Sequence, residues 1–413
     1  LKKEREGGFS VTLVESPDVP TIGVGEGTWP SMRRTLRNMG VRETDFIREC
    51  NASFKQGGKF ARWYTGAKDD YYYHPLVLPE GFNHTNLAPH WLDDDQGRSF
   101  SEYVCVQDYL CDRMLAPKLI TTPEYQAVAN YSYHLDAGLF SEFLKNHCVD
   151  KLGVRHVLDN VTAVNAEESG DIASITTVAN GEIAGDLFID CTGFKSLLLG
   201  EHYGVPFVSC KDTLFVDTAL AAQVPYEDDE APIASQTIGT AQSAGWVWDI
   251  ALQNRRGVGH VYSSAHASED EAAAELRAYL ADSVADPDDI GYRKISINPG
   301  HRTKFWERNC VAIGLSAGFL EPLEASALLL IEIAGLMISE QFPATREAMD
   351  VVAKRYNETF LYRWDRIIDF LKLHYALSER TDSQFWLDNR DPSTSPDSLK
   401  ELMRLWRYQP PWH

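Results

Sequence analysis

No two cysteines in this chain are spaced C-x-x-C, so neither a zinc-binding knuckle nor a thioredoxin-type redox motif is indicated, and no metal site is expected. The seven cysteines, Cys50, Cys105, Cys111, Cys148, Cys191, Cys210 and Cys310, read as buried free thiols of a reducing cytoplasm. Long apolar runs are missing too. The longest, from Ala325 to Ile338, contains Glu332 and is too short to span a bilayer. No signal peptide is legible. Cationic residues are scarce: 39 Lys and Arg against 60 Asp and Glu leave a net charge of −21. That balance argues against nucleic acid and anionic membranes as partners. There are no internal repeats and no low-complexity linkers. What remains is a 413-residue chain, 44% hydrophobic and 24% charged, long enough for one elaborate domain or two intimate ones.

The stretch "FSVTLVES" (9–16) reads as a buried strand, following a helix that ends near Gly7 and Gly8. It finishes in Glu15. In a dinucleotide-binding βαβ unit an acidic residue at the end of the second strand binds ribose hydroxyls. The glycine-rich phosphate turn belongs about 20 residues earlier, upstream of Leu1. Both ends of the chain, "LKKEREGG" and "WRYQPPWH", accordingly read as cut. Residues 153–194 read as short strands with turns at Glu168-Ser169-Gly170 and Asn180-Gly181, the last strand delivering Thr192 and Gly193. "NCVAIGLSAGFLEP" (309–322) is a further strand running into a glycine-bearing loop. Loops delivered at the carboxyl ends of strands suit an α/β nucleotide-binding sheet. Aromatic-rich stretches at 55–130 and 205–295 interrupt that sheet, and from Pro343 onward the pattern is helical. The expected organisation is a 1–345 core and a 346–413 helical part.

Two glutamates interrupt the apolar "GFLEPLEASALLL" (318–330). Pro322 suits the first position of a helix, which puts Glu324 near the third, where a carboxylate caps free amides. The same helix start would point the amides of Ala325, Ser326 and Ala327 at an anion. A carboxylate beside an apolar pocket would alternatively gain proton affinity and serve as a general base. Lys55 and Lys59 in "NASFKQGGKF" share one face if extended, and physics alone does not choose between them or exclude solvated surface roles for both. Trp246 and Trp248 in "GWVWDIAL" share a strand face, either as core or as a wall. His74 in "YYYHP" is a substrate contact or a hydrogen-bonded loop histidine.

Taken together these pieces resemble the flavin-dependent tryptophan halogenase family over nearly the whole chain. "GVGEGTWP" (23–30) looks like the family stretch GxGE[AG]T-x-P, carrying Gly23, Val24, Gly25, Glu26 and Gly27. "SFKQGGKF" looks like the segment with the catalytic lysine and selects Lys55 over Lys59. "YHLDAGLFSEFL", "DCTGF", "GWVWDIALQNRRGVGHVYSS", "NCVAIGLSAGFLEPLEAS" and "DFLKLHYALSERTDSQFW" follow in order. The WxWxI element together with that lysine separates halogenases from flavin hydroxylases.

The resemblance implies an FAD-binding Rossmann-like fold of the flavin monooxygenase and halogenase type. FAD would contact Glu15, the 23–27 loop, Thr192, Gly193, Gly314, Ala317, Gly318, Glu321 and Pro322. It implies that reduced flavin, supplied by a separate flavin reductase, and O2 form a C4a-hydroperoxide, which a halide held at Ser326 and Ala327 converts to hypohalous acid. Lys55 would receive that oxidant and Glu324 would orient it or take the ring proton. Trp246 and Trp248 would keep the aromatic substrate from the flavin, with His74 on the substrate side. A homodimer is possible within the family pattern. Three places depart from it: Ala251 replaces a proline, Ala325-Ser326-Ala327 replaces Ser-Thr-Gly, and Leu76 stands where an aromatic would stack on an indole. The "EPLEASA" spelling resembles members without an assigned natural substrate, and the family's C-terminal substrate lid is expected to be missing from the sequence as cut. The alternatives are an FAD-dependent aromatic hydroxylase and a non-enzymatic flavoprotein fragment.

Overall fold

The computed structural model describes residues 8, 10–19, 25–228 and 230–411. Two short strands, Phe188–Asp190 and Cys310–Ala312, pair in parallel in the core. Each runs at its carboxyl end into a glycine with positive φ, Gly193 at 72° and Gly314 at 67°. Only glycine adopts that turn without a Cβ penalty. Asp190 is fully buried, and its carboxylate accepts from the Thr192 amide and hydroxyl and from the amides of Leu198 and Leu199. A buried carboxylate so satisfied is a structural pin for the turn that follows.

The strand Thr12–Glu15 forms in parallel with Arg155–Leu158, but it is largely exposed rather than buried. Among the described residues it has a single hydrogen-bonded neighbour, which makes it an edge. The helix anticipated before it, Gly7 included, lies outside the described residues. The hairpins of 161–184 form as read, with Gly170 and Gly181 turning at positive φ.

Both aromatic-rich stretches feed one seven-stranded sheet. Its order is Tyr292–Ser296, Thr218–Pro225, Arg255–Tyr262, Gly245–Ala251, Thr237–Ala241, Gly57–Ala61 and Tyr71–Pro75. Every residue of Gly245–Ala251 is buried. Trp246 and Trp248 face one apolar cluster, and Val247 faces another beneath the helix Glu269–Leu280. The strand's period of two thus sorts its side chains onto two layers. Gly259 opposes Trp248, and a Cβ there would lie 2.3 Å from the indole, so the glycine makes room for it.

A small sheet joins Glu26–Gly27, Ser132–Leu135 and Ser53–Lys55. The helix Arg346–Ala376 buries Met349, Ala353, Tyr356, Phe360, Trp364, Ile368, Leu371 and Tyr375, a stripe at helical period. It shares its apolar cluster with Trp246, Phe305 and Trp306, so the core is continuous from sheet to helix. All seven cysteines are free thiols, but only Cys50, Cys111 and Cys310 are buried and Cys191 is exposed. Cys148 lies on the helix Ala137–Leu152, and Cys105, Cys191 and Cys210 lie outside helices and strands, all nearer the surface than the composition suggested. Among the described residues no helix is long and apolar enough to cross a membrane.

Candidate active site

Three segments far apart in sequence converge on Lys55. The strand Ser53–Lys55 places its side chain inside the protein, 4% exposed. A Cβ at Gly27 would sit 3.1 Å from the Lys55 Nζ, 3.4 Å from the Ala325 methyl and 3.5 Å from the Thr237 hydroxyl. Gly27 is therefore the position that gives the ammonium room. Burial lowers the Lys55 pKa to about 8, with the charge of Glu324 opposing the fall. No carboxylate of the described residues pairs with it within 4 Å. Lys59, by contrast, leaves the site and lies over Tyr71 beside Asp112 at 3.2 Å. Beneath Lys55, His134 is fully buried with Nε2 2.8 Å from the Thr237 hydroxyl. Burial and the nearby ammonium hold this imidazole well below its usual range, hence neutral.

The loop after Phe319 corrects the expected helix start. The helix is Ser326–Glu340, and Ala325 caps it in the left-handed region at φ 52°. Residues 322–325 form a turn in which the Ala325 amide donates to the Pro322 carbonyl at 3.0 Å. The Glu324 carbonyl, which a helix begun at Pro322 would use internally, instead accepts from Trp29 Nε1 at 2.8 Å. Glu324 is consequently not a capping residue, and the Ala325 amide is not free for an anion. Ser326 and Ala327 do head the helix. They line one small apolar cleft, about 60 Å³, with Gly314, Ala317, Gly318 and Phe319.

The Glu324 carboxylate is buried between two imidazoles. His74 Nδ1 lies 3.0 and 2.9 Å from its two oxygens. His374 Nε2 lies 3.0 Å from Oε1, close enough for an ion pair though off the line of a hydrogen bond. Burial would raise the carboxyl pKa, but the two histidines outweigh it and hold Glu324 well below the usual range. The expected gain in proton affinity is thus reversed. The Tyr72 hydroxyl is 2.7 Å from His374 Nδ1, and Phe60 stacks on that ring at 4.6 Å. His74 is edged by Trp29 at 5.9 Å and Phe370 at 5.5 Å, with its side chain 32% exposed.

Glu321 faces the other way. Fully buried, it accepts from Trp246 Nε1 at 2.9 Å and Tyr375 Oη at 2.5 Å, and its Oε1 has no partner. Burial pushes this carboxyl up to about 7 despite those donors. It anchors the tryptophan pair, whose rings lie 6.4 Å apart. Lys372, on the same helix as Tyr375, is also buried; burial lowers its pKa to about 7, and it donates to Asn389. Burial raises half-buried Glu26 to about 7 as well.

Of the remaining sequence candidates, Thr192, Gly193, Gly314, Ala317, Gly318 and Pro322 lie on the turns just described. Gly25 packs against Ile250, and a Cβ there would come within 3.3 Å of it. Glu15 is half-exposed and accepts from His156 at 2.8 Å. Gly23 and Val24 lie outside the described residues. Trp29, Tyr72, Phe370 and His374 were missed. Phe370 and His374 stand four apart on one helix face, a spacing the sequence does contain, but nothing local pointed that face at the site.

The family model "Tryptophan halogenase" matches residues 1–411. The chain is 35% identical to tryptophan 6-halogenase SttH of Streptomyces toxytricini, over all of this chain and 81% of that protein. Among solved structures it is similar to a tryptophan halogenase from Shewanella frigidimarina NCIMB 400, at 52% identity and TM-score 0.94, covering 97% of this chain and 77% of that one. It is also similar to BrvH, a flavin-dependent halogenase from Brevundimonas sp. BAL3, at 32% identity and TM-score 0.87, covering 100% and 82%. The α/β architecture is that of these flavin enzymes.

Proposed function

The chain belongs to the tryptophan halogenase family, and from that premise we propose that it halogenates an electron-rich aromatic ring using reduced FAD, O2 and chloride or bromide. The substrate class is tryptophan, indole or an indole derivative. One observation carries the reading: a buried ammonium, Lys55, without a contact ion pair among the described residues, stands in space left by Gly27, close to an ionised carboxylate. An unpaired buried cation is costly unless something polar arrives to meet it.

The residues fit the cofactor. Gly193 and Gly314 turn at positive φ at the ends of neighbouring parallel strands, no atom lies within 4 Å of a Cβ built at Gly193, and a glycine-lined cleft follows Gly314. Thr192, Gly193, Gly314, Ala317, Gly318 and Pro322, with the loop through Gly25, Glu26 and Gly27, would hold the flavin, and Glu15 its ribose. Bound reduced flavin, with O2 and halide, supplies hypohalous acid.

The chain's own residues do the rest. Ser326 and Ala327 hold the halide at the helix head, where backbone amides favour an anion. Trp246, pinned by Glu321, and Trp248 keep the aromatic ring from the flavin. Lys55 hydrogen-bonds the oxidant, and a pKa near 8 lets it give a proton near neutral pH. Glu324 keeps that ammonium charged. The division at 345 is functional, with residues 346–413 supplying the substrate side. A diffusible flavin reductase, a homodimer and a cytoplasmic setting complete the proposal.

The test is the chain assayed with a flavin reductase, FAD, chloride or bromide, and a panel of indoles including tryptophan. A halogen isotope pattern in the product mass is expected. A gain of one oxygen instead would make the protein a hydroxylase.

A further inference from the structure

Glu324 has little left to offer a substrate. Both of its oxygens lie within 3.0 Å of His74 Nδ1, and Oε1 also meets His374. His74 is differently placed. Its Nδ1 is engaged by the carboxylate, while Nε2 has no hydrogen bond among the described residues and belongs to a side chain 32% exposed between Trp29 and Phe370. A carboxylate on one imidazole nitrogen fixes the proton there and leaves the other as an acceptor. We infer that His74 Nε2, steered by Glu324, is the base that removes the proton from the halogenated ring. The inference rests on the halogenase reading and deepens it.

The step balances. The ring's π pair forms the carbon–halogen bond as the halogen–oxygen bond breaks, its electrons leaving with oxygen. That oxygen takes a proton from the Lys55 ammonium and departs as water. The C–H electron pair returns to the ring as its proton passes to His74 Nε2. Solvent then removes the proton from His74 and returns one to Lys55. His374 acts as a positioning residue: held by the Tyr72 hydroxyl, it fixes the carboxylate's second side.

The groups facing His74 are Glu324 and, at longer range, Lys55, with His374 acting through the carboxylate. Burial would lower the His74 pKa, Lys55 also lowers it, and Glu324 reverses both so that it is raised. Ring halogenation should therefore fade on the acid side as His74 protonates, and above about 8 as Lys55 loses its proton.

The decisive variant is His74→Asn, whose amide can still donate to Glu324 but offers no base. Indole and indole deuterated at every ring carbon serve as probes, and hypohalous acid is trapped in parallel with a 1,3-diketone. Wild type is expected to show no isotope effect. The variant is expected to halogenate roughly 100-fold more slowly or worse, to show a primary isotope effect, and to lose the acid limb of the pH profile. A wild type that generates no oxidant would overturn the halogenase reading. Oxidant from both proteins, with equal ring halogenation and no isotope effect in the variant, would overturn the role of His74 alone. Without any substrate, at a pH alkaline enough for His74 to be neutral, imidazole ¹⁵N shifts assigned by difference with the variant should put the single proton on Nδ1. A proton resting on Nε2 would sink the inference.

Discussion

Glu321 and Glu324 stand three residues apart on one turn, both buried, yet their surroundings treat them oppositely. Around Glu321 are two neutral donors, an indole N–H and a phenol, with the buried Lys372 beyond, and one oxygen is left bare. Its carboxyl rises to about 7. Around Glu324 are two imidazoles with an ammonium beyond, and its carboxyl falls. Burial raises both carboxyls; it prevails at Glu321 and is outweighed by the two imidazoles at Glu324, so the partners make the difference. One region is a structural anchor behind Trp246, and the other is an electrostatic clamp that the proposed function puts on the substrate side.

Removing the cation should break the clamp most severely. Lys55→Ala is expected to lower ring halogenation by roughly 100-fold or more while the oxidant still forms, since an aimed donor contributes on that order. Product mass spectrometry beside a diketone trap checks both halves. Glu324→Gln should rank next. Hydrogen bonds to a charged group are worth about 1.5–3 kcal/mol, so a loss of about 10- to 100-fold is expected. Glu324 raises both His74 and Lys55, so the whole pH window should also move to lower pH. A window that stays in place would remove Glu324 as the source of the field.

How far the sequence disclosed this contrast depends on range. Strands and turns that depend on nearby residues were legible: the hairpins of 161–184, the strands into Gly193 and Gly314, and the all-buried WxWxI strand. Lys55, Glu324 and His74 were legible as candidates, Lys55 and Glu324 chiefly through the family pattern. What failed depended on contacts distant in sequence. The helix start moved from Pro322 to Ser326 because Trp29, 295 residues away, takes the Glu324 carbonyl. The sign of the Glu324 shift turned on His74 and His374 together, and local periodicity marks His374 only as one more residue of a long helix. The partners of Glu321, Trp246 and Tyr375, are likewise announced by nothing near it in sequence.

The smallest effect on activity, and the sharpest test of the anchor, belongs to Glu321→Gln. The amide keeps the acceptor that Trp246 and Tyr375 use and cannot ionise. Halogenation should fall no more than a few-fold, because the hydrogen bonds to the wall survive; a collapse comparable to that of Glu324→Gln would erase the contrast between the regions. Stability carries the clearer sign. The folded-state pKa of Glu321 is raised from 4.5 to about 7, so between those values the folded protein binds more protons than the unfolded chain. Wild type therefore loses stability as pH rises through that window, and the variant lacks this contribution. Lys372, lowered to about 7, acts chiefly above the window, where the unfolded chain holds the extra proton. Thermal melts of the two proteins should nearly coincide at pH 4.5, with the variant gaining relative to wild type by pH 7. Melts that stay parallel throughout would mean that Glu321 is ionised in the fold, and that the Trp246 wall rests on a charge rather than on a neutral acid.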